Sequence, residues 1–98
     1  MTISGLVLIG LCGSVLLPPP QFDHVPDLPV RVSRMGYWEV DRACRSWGAQ
    51  ESGRIEGCSR VRTQDMILPD DDPNNCIERH ENGHINGAPP DHSGWRFE

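Results

Sequence analysis

The chain has 98 residues, 9 basic against 14 acidic, for a formal net charge of -5. No basic stripe is available to neutralise phosphates, which speaks against a nucleic-acid partner, and all the basic residues are arginine. A domain of this size builds one modest hydrophobic core, for which a metal ion or a disulfide would serve as a staple.

The N-terminus opens on an apolar stretch, residues 6–17, closed by Pro18, Pro19 and Pro20. It is shorter than the roughly 20 residues that span a bilayer, and it reads as the apolar region of an export signal. Residues 1–17 are therefore expected to be a signal peptide, with cleavage after Ser14, or else an uncleaved membrane anchor; lipidation of Cys12 is a third option. The chain is then exported, periplasmic or secreted, with a possible membrane tether through residues 1–17. Residues 18–29 hold five of the nine prolines and predict an extended, polyproline-like linker. His24 sits on that linker, where ordering it as a metal ligand would cost chain entropy.

A folded domain is expected over residues 30–98. Val30-Arg31-Val32-Ser33 alternates as a strand does, and Met35 to Trp38 extend it after a bend. Val40, Ala43, Cys44 and Trp47 recur at helical spacing, so residues 39–47 predict a short amphipathic helix ended by Gly48. Residues 55–68 predict a second extended region, with Cys58, Val61 and Met66-Ile67-Leu68 as buried candidates, stopped by Pro69. Asp72 and Pro73 form a helix start, as N-cap and first helical residue, in preference to an acidic calcium loop over Asp70, Asp71 and Asp72. The helix then runs to about Asn86, with Gly87 as its left-handed terminator. The expected fold class is α+β: a small single domain in which a short helix and two or three strands pack on a C-terminal helix that carries the site.

That last helix contains His80-Glu81-Asn82-Gly83-His84, the His-Glu-x-x-His pattern of zinc peptidases. Four residues along a helix advance about 400° and about 6 Å, so His80 and His84 leave one face close enough to share an ion. Glu81 beside them is expected to act as general base, taking a proton from the attacking water. Gly83 costs about 1 kcal/mol relative to alanine inside a helix, which is understandable if something, such as a packed strand, approaches the backbone there. A catalytic zinc site needs a third protein ligand and an open position. Gly87 lets the chain reverse, and Asp91 and His92 return; His92 is the preferred ligand, with Asp91 orienting an imidazole or serving as the alternative ligand.

The run from Arg79 to His92 resembles the Arg-His-Glu-x-Gly-His-x-Asn-Gly-x-Pro-x-Asp-His stretch of short exported zincin-type proteins of bacteria and phage. The resemblance covers 14 residues and implies a minimal zincin-like metallopeptidase domain with a strand beside the site helix. It departs from the metzincins, whose third ligand falls at Pro90 of this chain, and no glutamate helix of the gluzincin kind follows.

With Cys12 removed with a leader or lipidated, Cys44, Cys58 and Cys76 remain. Cys44 and Cys58 are the preferred disulfide; Cys76 is a buried thiol or disulfide partner in preference to a zinc ligand, since a fourth protein ligand would close the site. The functional expectation is a zinc metallopeptidase acting on a peptide, protein or peptidoglycan peptide, with Zn²⁺ as cofactor. The alternative is a non-catalytic, zinc- or disulfide-stabilised interaction module of the cell envelope or of a phage; a third reading makes the motif incidental.

Overall fold

The apolar run Met66-Ile67-Leu68 forms the middle of the molecule, in strand β3 (Asp65–Pro69), all of whose residues are buried. A computed structural model describes residues 11–98. Before β3 come β1 (Arg31–Met35), helix α1 (Tyr37–Ser46) and β2 (Cys58–Arg60); after it comes helix α2 (Cys76–Ile85). The sheet has the order β1-β3-β2. β1 runs parallel to β3 with Arg31 opposite Asp65, and this parallel pairing requires a crossover, which α1 provides. β2 runs antiparallel to β3, Ser59 facing Met66.

Because β3 is central, its alternating side chains serve two cores. Ile67 joins Val40 and Cys44 of α1 and Ile55, whereas Met66 and Leu68 join Ile85 of α2. The α+β architecture thus has one helix on each side of a three-stranded sheet. The chain turns into α1 directly after β1, so Tyr37 and Trp38 are helical rather than extended: Gly36 starts the helix, and its backbone N–H donates to Glu39 Oε1 at 3.0 Å. The single extended region expected over residues 55–68 is instead a hairpin, with Val61 in its turn and 47% exposed rather than buried.

α2 starts three residues later than Asp72 and Pro73 imply. Pro73–Asn75 make a 3-10 turn, with Asn74 and Asn75 at φ 59° and 55°, a left-handed conformation that asparagine tolerates. Asp72 still caps the helix from that distance: its two carboxylate oxygens accept from the N–H groups of Ile77 and Glu78, both at 2.9 Å. At the other end Gly87, φ 98°, lets Ala88 N–H reach Gly83 O and its own N–H reach His84 O, a Schellman ending.

Two disulfides are present. Cys44–Cys58 joins α1 to β2, as expected, and Cys12–Cys76 joins the N-terminal segment to the start of α2. The second places Cys76 in a disulfide, so that it is neither a free thiol nor a zinc ligand. Leu17, fully buried, pairs its backbone with Arg96, and Cys12, Leu17 and Cys76 form a third apolar cluster. Nor does the segment after it hang free as a tether. The carboxylate of Asp23 accepts from Arg79 at 2.6 Å and from Arg96 at 3.3 Å, and Asn86 Nδ2 donates to the carbonyls of Phe22 and His24. The reason is chemical: a proline-rich strand cannot pair as a sheet does, yet its free carbonyls accept from side chains. The first ten residues, on which most of the export or anchor reading falls, lie outside the described residues.

Among the described residues no helix is long and apolar enough to cross a membrane. The two disulfides fit an oxidising compartment.

Candidate metal centre

Helical spacing sets His80 and His84 side by side on α2, and the turn after Gly87 returns the chain so that His92 meets them. His92 Nε2 lies 3.3 Å from His80 Nε2 and 3.2 Å from His84 Nε2. The three residues form a group that could hold a metal ion. His92 reaches this position in a left-handed backbone conformation, φ 66°, with its N–H on Pro89 O.

The protons decide what the cluster is suited to. His80 Nδ1 lies 2.7 Å from the carbonyl of Leu16, which can only accept, so the ring carries its proton on Nδ1 and turns a bare Nε2 lone pair into the cluster. One proton on His92 Nε2 could not serve both of its close nitrogen neighbours. Lone pairs facing one another repel, and a cation between them removes the conflict. The spacing agrees: Zn–N bonds in a tetrahedral site put neighbouring nitrogens about 3.3–3.4 Å apart. Burial, then the neighbouring His80 and His92, lower the pKa of His84 to about 4, and burial lowers that of His80, so both rings are neutral ligands near neutral pH. Three imidazoles with no fourth protein donor among the described residues are the donor set of an open zinc site.

Trp95 backs the cluster. Its ring centroid lies 4.6, 4.7 and 4.8 Å from those of His80, His84 and His92, and its indole N–H donates to Pro89 O at 3.1 Å. It also explains Gly83, jointly with Pro18: a Cβ there would come within 2.5 Å of Pro18 Cβ and 3.1 Å of the Trp95 ring. The close approach anticipated at this glycine is therefore made by the N-terminal segment and the indole, not by a strand.

Glu81 is 5% exposed, and its Oε1 accepts from the Ser59 hydroxyl at 2.9 Å. Burial pushes its pKa up to about 7, against the lowering effect of that hydrogen bond. Two clefts meet at this residue. One, of ≈ 400 Å³, includes all three histidines, Ser59 and Pro90; the other, of ≈ 280 Å³, runs past Arg54, Ile77 and Phe97, and His80, Glu81, Glu51 and Gly57 line both.

Asp91 does not join the cluster. Its Oδ1 accepts from the Ser93 hydroxyl and N–H, at 2.7 and 3.0 Å, and these bonds hold its carboxyl below the usual range. The role of orienting an imidazole, expected of Asp91, falls for His80 to the Leu16 carbonyl. His24 stays apart, its Nδ1 against Val25 O. Ser59 and the Leu16 carbonyl had no signal in the sequence, since neither lies near the motif in the chain and a carbonyl belongs to every residue.

Compared with protein-family models, curated proteins and solved structures, the chain matches none.

Proposed function

We propose that this protein is a zinc-dependent metallopeptidase in which His80, His84 and His92 hold the ion and Glu81 is the general base. The observation that carries the reading is the meeting of three imidazole nitrogens whose protons cannot satisfy both close contacts at once, beside a buried carboxylate that lines the same cleft. Zinc bound by such a set supplies Lewis acidity, polarising a peptide carbonyl and acidifying water. Glu81, with a pKa near neutrality, is suited to take the proton of the attacking water and pass it to the leaving amine. Ser59 fixes the rotamer of that carboxylate, and Trp95 keeps solvent from the far side of the imidazoles.

β2 ends the sheet, with no further strand beyond it among the described residues, and Gly57, Ser59 and Val61 line the histidine cleft. An extended peptide could pair along this edge and cross Glu81 from one cleft to the other. The substrate is thus a peptide segment, from a protein or from peptidoglycan. The disulfides favour a workplace outside the cytosol, periplasmic or secreted.

The test is metal content by mass spectrometry, hydrolysis of a peptide library, and thermal melting of the oxidised protein with and without chelator. One zinc per chain is expected, with Glu81→Gln keeping the metal and losing about 10²–10⁴-fold in hydrolysis. If Glu81→Gln is silent while His80→Ala unfolds the chain, the metal is a structural staple and the interaction-module reading replaces this one. An unchanged melt and no bound metal would leave the motif incidental.

A further inference from the structure

The residues of α2 and its C-cap that touch neither ion nor water in the proposed chemistry share another task. Arg79 binds Asp23 through two hydrogen bonds, at 2.6 and 3.2 Å. Gly83 admits Pro18 against the helix backbone. Asn86 holds the carbonyls of Phe22 and His24, at 2.9 and 2.7 Å. Three positions, each about one turn from the next and interleaved with the histidines, all grip the segment 12–24. The same segment sends the Leu16 carbonyl to His80, walls the second cleft with Ser14, Val15 and Leu16, and is bonded to the first residue of α2 through Cys12–Cys76.

We propose that residues 12–24 are a strap that completes the metal centre: the Leu16 carbonyl is the positioning group for His80, and the Cys12–Cys76 disulfide is the latch that keeps it seated. This inference rests on the metal reading above. The physical argument concerns the choice of tautomer. A neutral imidazole places its proton on either nitrogen, and the form with a proton on Nε2 cannot bind an ion there. A carbonyl 2.7 Å from Nδ1 selects the binding form and fixes the ring plane. With the strap loose, His80 would populate both tautomers and several orientations, and affinity would fall although all three ligands remain.

The latch is also the strap's nearest covalent anchor to Leu16. Leu17 adds an exchange of backbone hydrogen bonds with Arg96, its N–H on Arg96 O at 2.7 Å and Arg96 N–H on Leu17 O at 3.0 Å. Through Arg96 the strap thus reaches the C-terminal segment that presents His92 and Trp95, so that its seating bears on two of the ligands together.

The experiment uses the full oxidised chain and C12S/C76S. Zinc affinity is read by competition with a chromophoric chelator, and the His80 tautomer in the zinc-free protein by ring ¹⁵N chemical shifts. The parent should show His80 protonated on Nδ1; C12S/C76S should show mixed tautomers and bind zinc about 10–100-fold more weakly, the range for loss of a partner that orients a ligand. A merely structural disulfide would move neither readout in a variant that stays folded by near-ultraviolet circular dichroism. Should C12S/C76S fail to fold, an ester in place of the Leu16–Leu17 amide weakens the carbonyl as acceptor and deletes the Leu17 N–H that bonds Arg96, loosening the strap with both disulfides intact, and the same two changes are expected. A parent that binds zinc, matched within twofold by the folded variant or by the ester, overturns the strap and leaves the metal reading standing. A parent that binds no zinc overturns the metal reading, and this inference with it.

Discussion

Cys44–Cys58, half-buried at Cys58, and Cys12–Cys76, buried at both ends, hold together different kinds of structure. The first closes a separation of 14 residues inside a cluster of Val40, Ile55 and Ile67, where helix and strand would pack without it. The second closes a separation of 64 and secures a segment that buries Leu17 and Pro18 but is aligned by charges and carbonyl groups. The sheet side is built by burial of apolar surface, which is non-directional and tolerates small shifts. The strap side adds to its burial of Leu17 and Pro18 a set of hydrogen bonds to named atoms, which weaken steeply as geometry degrades. A site that needs one imidazole tautomer in one orientation is placed on the directional side of the molecule.

The largest effect should separate the two disulfides. In the chain-entropy model the long loop is worth about 4 kcal/mol and the short one about 3 kcal/mol, each a large share of a total near 5–15 kcal/mol for a domain of this size. Urea unfolding of C12S/C76S and C44S/C58S should rank them in that order. The reverse order would mean that the apolar cluster around Cys44, and not loop closure, sets the cost of losing a disulfide here.

Gly83→Ala comes next. Overpacking against Pro18 and Trp95 costs about 1–3 kcal/mol, set against about 1 kcal/mol gained in helix propensity, for a net loss of up to about 2 kcal/mol in urea unfolding. Gly53→Ala is the control on the sheet side: nothing lies within 4 Å of a Cβ there, so the change should be neutral or stabilise slightly. Equal effects at the two positions would remove the argument that the strap presses on the helix.

The smallest effect is that of Asp23→Asn, about 1 kcal/mol near neutral pH. Arg79 first, and then Arg96, hold the Asp23 carboxyl below its ordinary value in the folded protein. A carboxylate with a depressed folded-state pKa contributes stability above its unfolded value, near 4, and loses it as pH falls through the folded-state value. The gap between parent and variant in urea midpoint should therefore close as pH is lowered from about 5 towards about 2. A gap that stays constant across that range would show that packing, not charge, is what Asp23 supplies.

Chelation sharpens the contrast from the other direction. Removal of zinc should lower the melting temperature of the parent, and the turn that carries His92 should lose amide-exchange protection before β3 does, because β3 is buried from both faces.

Much of the local structure was legible in the residues. Gly48 and Gly87 announced two helix ends because a left-handed terminator favours glycine, and the spacing of His80, His84 and Glu81 on one helix followed from 3.6 residues per turn. His92 could be named as a partner because a short loop after Gly87 has few places to go. Asp91 misled because a carboxylate next to a histidine suits either of two bonds, and the Ser93 hydroxyl and N–H took it first. The Cys44–Cys58 pair was within reach because it joins elements adjacent in the chain.

What the sequence by itself determined is therefore whatever depends on short separations: helix periodicity, caps, turns, and the set of residue types that can bind zinc. Only the tertiary structure showed what residues 12–24 touch, because apolar and proline-rich composition by itself names no partner. Those contacts rest on partners some 60 residues away, Cys76, Arg79, Gly83 and Asn86, whose spacing along α2 and its C-cap has no meaning until the segment lies across them. The Leu16 carbonyl is the extreme case, since a backbone acceptor has no residue identity and acquires a role only from where the fold puts it.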